Sequence, residues 1–261
     1  MISLIVHCRT EGMLRGMREN LTQVAARLGA VGAEMIFEVG GTRVAESYAR
    51  SVARAKGEAV VFVEENGAFL TVEGLARLVG LLERHGAVGV AGAMRVVDGE
   101  WCGAGPPYVY GQYVDGGKGD AAGGKTEARV VVWSAPERVV VGMAVLCPAV
   151  VAMRREVMER VGLDTGRFAS GEMALADATY RAGLAGEKLA VACDVPAVWN
   201  AGIVDGRERA AFVEKHGLSG EGARQGLMRV AFGDFADALR IMSPAFWNEA
   251  APRPPPVVGN L

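Results

Sequence analysis

The chain has 261 residues, 51% of them hydrophobic, with 36 glycines; this suits one large α/β domain or two small ones and excludes disorder for most of its length. Lys and Arg total 28 against 30 Asp and Glu, so no bulk charge draws the chain to nucleic acid or an anionic membrane. Cys8, Cys102, Cys147 and Cys193 form no Cys-x-x-Cys pair and read as free thiols of a reducing cytoplasm, and the opening MISLIVHC is too short an apolar run for a signal peptide or a membrane span. A cytoplasmic protein without a transmembrane anchor is the expectation.

Residues 2–6 form a short apolar strand, after which Met13, Leu14, Met17, Leu21, Val24, Ala25 and Leu28 fall at helical spacing. Residues 35–39 make a second strand, Val44, Ala45, Tyr48, Ala49, Val52 and Ala53 mark a second helix, and residues 60–63 make a third strand. Thr71 can cap a helix that buries Leu75, Leu78, Val79 and Leu82, and residues 87–93 read as a fourth strand. Near-continuous apolar strands separated by single helices imply a parallel sheet covered on both faces. Right-handed crossovers then bring the strand C-termini to one edge, where ligands bind in open α/β sheets. Cys8-Arg9-Thr10, Glu38-Val39-Gly40-Gly41 and Glu64-Glu65-Asn66 all sit at such ends. Each has a plainer account beside the functional one: a solvated arginine, a glycine turn, and an Asn-Gly turn leaving a buried strand.

Residues 99–124, rich in glycine and aromatics without an apolar period, read as a long loop suited to a lid. Within it GDAAGGKT, residues 119–126, matches G-x-x-x-x-G-K-[ST]. That motif works only where a helix follows; here a strand-like run at 128–133 follows, so the match is a by-product of glycine richness. Residues 130–133 and 139–146 are expected strands, and 150–161 a short helix with Arg154, Arg155, Glu156 and Glu159 outward. Gly171 and Glu172 open a helix whose inward residues are Met173, Ala176 and Tyr180 and whose stop is Gly183. A carboxylate in that first turn also suits the helix dipole without any further role. Beyond 217, Leu227, Val230, Ala231, Phe235, Leu239 and Ile241 keep a helical pattern, before Pro252, Pro254, Pro255 and Pro256 enforce an extended or disordered tail that Phe246 and Trp247 pack down.

In this order the pieces resemble the family 2-like glycosyltransferases of the GT-A fold, over residues 2–216. GTRVAESYARSVARAKGEAVVFVEEN is similar to the helix and strand leading to that family's Asp-x-Asp motif, and VVVGMAVLCPAVVAMRREVMERVGLDTGRF to its acceptor-side segment. GEMALADATYRAG is similar to its Glu-Asp helix, and AVWNAGIVDGRERAAFVEKHG to the stretch that normally carries a histidine. The resemblance implies an α/β fold of GT-A type, with a mainly parallel central sheet flanked by helices. It further implies a domain over 1–216, divided into a nucleotide-sugar-binding half at 1–95 and an acceptor half at 96–216, with 217–261 as a C-terminal helix and Pro-rich tail.

The activity it implies is transfer of a sugar from a nucleotide-diphosphate donor to a glycan, lipid or protein hydroxyl, with no nucleic-acid partner and homo-oligomer formation left open. A divalent cation, Mn or Mg, would be held at Glu64 and Asn66, with Asn200 in the place of the family's histidine. Glu172 would be the base on the acceptor, with Asp177 and Asp164 as substitutes. Glu38 would be the nucleoside-recognition acid and Gly142 the small residue beneath the acceptor. Arg9, Thr10, Gly40, Arg43 and Glu65 would complete the donor side. Glu64-Glu65-Asn66 carries one formal charge fewer than a pair of aspartates, the Glu-Asp motif is reduced to Gly171-Glu172, and Asn200 is no histidine. All three departures weaken the same metal and base apparatus. They leave a glycosyltransferase with weak or no metal dependence beside a non-catalytic sugar-nucleotide or glycan binding protein that keeps the fold.

Overall fold

The computed structural model describes residues 1–65, 67–105, 107–115, 129–134, 137–199, 205–218, 228–231 and 242. Its first ninety residues follow the apolar periodicity. β1 (Ile2–Cys8) is buried at every position. The Thr10 hydroxyl accepts from the Met13 N–H at 3.3 Å and caps α1 (Glu11–Ala25), whose Leu14, Met17, Leu21 and Val24 enter the core. β2 (Ala33–Val39), α2 (Val44–Arg54) and the fully buried β3 (Ala59–Val63) follow. After the short β4 (Ala68–Phe69), α3 (Gly74–Leu81) is entered through Glu73; Thr71, expected as its cap, instead offers its carbonyl to the Gly74 N–H at 3.2 Å.

Past that point several expectations are corrected. The run 87–93 is two strands, β5 (Ala87–Gly89) and β6 (Ala91–Ala93), in different sheets. The stretch expected to be only loop contains β7 (Val109–Asp115), in the middle of the second sheet, while 116–124 and the phosphate-loop match at 119–126 lie outside the described residues. At Gly111 (φ 105) an added Cβ would meet the Val90 carbonyl oxygen at 2.3 Å, so only glycine allows this close approach. β8 (Arg129–Ser134) pairs with β7, and the expected single strand at 139–146 breaks at Gly142 (φ 85) into β9 (Val139–Val141) and β10 (Val145–Leu146). The helix expected over 150–161 begins as β11 (Val150–Arg154), because Val150, Val151, Ala152 and Met153 are 0% exposed between β3 and β5; only its end is helical, α4 (Arg155–Val161). α5 (Gly171–Leu184) buries Met173 and Ala176 and runs through Gly183, the positive-φ glycine being Gly186. β12 (Leu189–Ala192), β13 (Ala197–Val198) and α6 (Gly206–His216) follow. β14 (Met228–Ala231) pairs antiparallel with β8 where a helix was expected from 227. The rest of that expected helix, Phe246, Trp247 and the proline tail lie outside the described residues.

The main sheet has the order β2-β1-β3-β11-β5-β12-β9. β2, β1, β3, β5 and β12 run one way, and β11 and β9 the other, so the sheet is mainly parallel with one reversed strand inserted beside β3. The second sheet carries β10-β6-β7-β13-β4, with β8 and β14 joined through β7. Inside the first sheet, buried Ser3 donates to Glu34 at 2.5 Å and accepts from the Gly57 N–H at 2.8 Å. An added Cβ at Gly57 would lie 2.5 Å from the carbonyl carbon of Ile2 and the nitrogen of Ser3. Backbone cannot give way as a side chain would, so Gly57→Ala is expected to cost about 1–3 kcal/mol. Urea unfolding checks this, and an unchanged midpoint would refute it.

Candidate active site

The register places the three strand exits side by side. Val6 pairs with Val63 and Cys8 with Val39, so Glu64 and Glu65 leave β3 beside the last residues of β1. The Glu64 N–H donates to the Ala149 carbonyl at 3.1 Å, and the Gly67 N–H donates back to the Glu64 carbonyl at 2.7 Å, closing the turn. Both carboxylates of this exit have partners. Glu65 accepts the Arg9 backbone N–H at 3.0 Å on one oxygen, and its other oxygen lies 2.6 Å from Arg9 Nε in an ion pair. Glu64 accepts the Trp199 indole N–H at 3.0 Å. Trp199 directly follows β13 and packs on Tyr113 and Trp101, at ring centroid separations of 5.2 and 6.2 Å. The second sheet thereby holds a carboxylate of the first.

The start of α5 forms a wall against α2. The Ser170 hydroxyl accepts from the Met173 N–H at 3.1 Å and caps the helix, putting Glu172 in its first turn. Gly171 sits against Tyr48 so closely that a Cβ would lie 2.5 Å from the ring, and the Ala45 N–H donates to the Ala169 carbonyl at 3.0 Å. Three buried groups underlie these carboxylates. Burial pushes the Cys8 thiol up to about 11, with Glu65, Glu11 and Glu64 adding to the shift. Burial, then the charge of Glu64, raises Tyr48. Burial raises Cys147, and the charges of both Glu172 and Glu64 act on it in the same direction. The charges of Glu64 and Glu172, carried by different elements, thus act on the same thiol.

A latch to α6 fixes that wall. Glu208 accepts from the Ala169 N–H, the Ser170 N–H at 3.0 Å and the Ser170 hydroxyl. Sequence reasoning missed Glu208, Cys147 and the role of Trp199. Asp205-x-x-Glu208 has capping-box spacing, and Asp205 does accept from the Arg207 N–H at 2.8 Å, but Glu208 turns to Ser170. No spacing signals a tryptophan that reaches a carboxylate 135 residues away.

The other expected site residues are placed as follows. Thr10 is the cap of α1, and Gly40 (φ 79) donates its N–H to the Cys8 carbonyl at 2.9 Å while its own carbonyl lies 2.7 Å from His7 Nε2. Glu38 is bound by Arg50 at 3.5 Å and by Arg54. Arg43 is bound to Glu46 and donates to the Thr165 carbonyl at 2.6 Å. Asp177 is 0% exposed and lies 2.7 Å from Arg181, 2.8 Å from Lys215 and 2.8 Å from His216, so it has no face to offer an acceptor. Asp164 accepts from Lys215 at 2.8 Å, which holds its carboxyl below the usual range. Gly142 is a correction. Its N–H donates to the Leu189 carbonyl at 3.1 Å, where β12 begins, and Leu189 pairs with Ala87 at the start of β5. That is the sheet edge opposite Glu64, so Gly142 does not underlie an acceptor at the strand tips. Asn66 and Asn200 lie outside the described residues.

A divalent cation needs oxygen lone pairs turned toward it. Glu65 is engaged by Arg9 and one Glu64 oxygen takes an indole N–H, while Asn66 and Asn200, the other residues assigned to a cation, lie outside the described residues. Among the described residues no group of three His, Cys, Asp or Glu side chains could hold a metal.

No family model matches the chain, and no curated protein matches it. Among solved structures it is similar to the mannosyltransferase PcManGT from Pyrobaculum calidifontis in complex with GDP-Man and Mn2+, with TM-score 0.51, 14% identity, and 85% of this chain and 65% of that chain covered. It is also similar to GalNAc-T7 with UDP, GalNAc and Mn2+, with TM-score 0.51, 12% identity, and 82% and 47% covered. The chain therefore spans 65% and 47% of the lengths of those two proteins. At such identities the likeness is one of fold, and the fold is the GT-A type, a mainly parallel sheet flanked by helices.

Proposed function

We propose that the chain is a glycosyltransferase moving a sugar from a nucleotide-diphosphate donor to an acceptor hydroxyl, with weak or no dependence on a divalent metal. The observation that supports it is the strand register, which sets the acidic exit of β3 beside the ends of β1 and β2 in a mainly parallel sheet of GT-A type. On this reading the donor lies over the exits of β1, β2 and β3, the crevice that open α/β sheets use. Residues 1–95 supply that seat. Residues 96–216 supply the acceptor side, with Glu172 as the base that takes the hydroxyl proton as the oxygen attacks the sugar. Asp177, fully buried among Arg181, Lys215 and His216, and Asp164, paired with Lys215, are assigned structural roles on this reading. The acceptor is a glycan, lipid or protein hydroxyl. Among the described residues no helix is long and apolar enough to cross a membrane.

A second reading keeps the fold as a non-catalytic sugar-nucleotide or glycan binder, and what favours it is the engagement of both β3-exit carboxylates by protein donors. Calorimetric titration with UDP-, GDP- and dTDP-sugars, followed by measurement of donor hydrolysis, separates the two. Binding with hydrolysis is the expected result. Binding without turnover under any acceptor would favour the second reading, and preference for free ATP would refute both.

A further inference from the structure

The strand-tip arginines differ in what they have left to give. Arg43 spends Nε on Glu46 and Nη2 on the Thr165 carbonyl, while Arg50 and Arg54 both turn to Glu38. The Arg9 backbone N–H donates to one oxygen of Glu65, its Nε is ion-paired with the other at 2.6 Å, and its side chain is 64% exposed against 12% for Glu65. Among the described residues its terminal Nη groups have no partner. The carboxylate therefore acts as a fixed hinge that orients the guanidinium without neutralising its outer edge. That edge carries the parallel N–H donors that match two oxygens of a phosphate. It stands beside Glu65, at the exit of β3 next to Glu64, where the resemblance places the donor diphosphate.

Resting on the glycosyltransferase reading above, we infer that Arg9, locked onto Glu65, supplies the positive charge that holds the donor diphosphate, so that nucleotide binding needs Arg9 and does not need a divalent cation. The Arg9–Glu65 pair sums to zero with its cationic edge outward, while Glu64 adds one negative charge at the same exit. A guanidinium and a divalent ion also differ in geometry. An octahedral ion accepts oxygens from several directions, whereas a guanidinium recognises a planar pair of oxygens from one side. The inference concerns ground-state binding of the diphosphate and requires no bond to form or break.

The test uses UDP and GDP as probes, titrated calorimetrically into the full chain and into Arg9→Ala, Arg9→Lys and Arg27→Ala, each in EDTA and in manganese. Arg27 is an exposed arginine on the 3-10 turn after α1 and controls for generic loss of charge. The wild type is expected to bind one of the nucleotides with affinities in EDTA and manganese that agree within about two-fold, as does Arg27→Ala. Arg9→Ala is expected to lose about ten- to a hundred-fold, and Arg9→Lys, which keeps the charge but not the fork, less than that. Because the Arg9 side chain is largely exposed, circular dichroism melting of the variants should match wild type and confirm that they fold. Wild-type binding that improves ten-fold or more with manganese would overturn the inference, as would unchanged affinity in Arg9→Ala; both leave the glycosyltransferase reading standing. Absence of any nucleotide binding in either buffer would refute that reading and the inference with it.

Discussion

Replacing Glu172 with Gln is expected to lower sugar transfer by about 10²–10⁴-fold while leaving donor affinity within about two-fold of wild type. The substitution keeps the shape of the side chain and removes its charge and its capacity to take a proton. The helix start that presents it is fixed independently, by the Ser170 cap, the Glu208 latch and the contact of Gly171 with Tyr48. A changed position of the residue is therefore a poor explanation for lost turnover. Nor can another carboxylate of the same segment take over, since Asp177 is fully buried among Arg181, Lys215 and His216 and Asp164 is bound to Lys215. Paired measurements of turnover and of nucleotide-sugar affinity check the prediction. Turnover within about three-fold of wild type would remove Glu172 from the base role, and a parallel loss of affinity would make it a donor-binding residue.

How far the sequence disclosed this arrangement depended on which physical signal each segment carried. In the first ninety residues β1 and β3 are buried on both faces, the edge strand β2 is half-buried and the helices are amphipathic, so apolar runs and helical spacing mark β1 to α3 within a few residues. The signal failed where one apolar run serves two sheets. Ala87, Val88, Ala91 and Ala93 are all 0% exposed, and nothing in their hydropathy marks the crossing at Val90 between β5 and β6. It failed again at Val150, because a fully buried strand followed at once by the helix at Arg155 has the composition of one longer helix. β7 was hidden by glycine and tyrosine, whose places there are set by the close approach of Gly111 to Val90 and by the stacking of Tyr113 on Trp199. At the site, the acidic exit of β3 and the first-turn carboxylate of α5 could be read from position alone. Their partners could not. The Trp199 contact to Glu64, the Arg9 clamp on Glu65 and the Glu208 latch on Ser170 join residues 135, 56 and 38 positions apart, and only the tertiary fold brings them together.

Asp177→Ala is expected to destabilise the fold by about 3–5 kcal/mol, measured by urea unfolding at neutral pH. The carboxylate is 0% exposed and bridges two helices, meeting Arg181 on its own helix and Lys215 and His216 on α6 at 2.7–2.8 Å. Its removal strands buried or half-buried donors: the His216 side chain is 6% exposed and Lys215 19%. Lys215 retains Asp164 at 2.8 Å and Arg181 retains the Gly162 carbonyl at 2.9 Å, so the loss falls short of the full desolvation of every partner. Asp177→Asn, which keeps the volume and one acceptor, should lose less than Asp177→Ala. A loss below about 1 kcal/mol for Asp177→Ala would show that the cluster is worth no more than a surface ion pair. The two substitutions on α5 should also dissociate. Below its lowered melting temperature, Asp177→Ala should keep transfer per folded molecule near wild type, because the Ser170 cap and the Glu208 latch still seat the first turn of α5. Glu172→Gln should keep its stability and lose transfer. A loss of transfer in folded Asp177→Ala as large as that of Glu172→Gln would place Asp177 in the chemistry, despite its burial, and would overturn the division of labour along this helix.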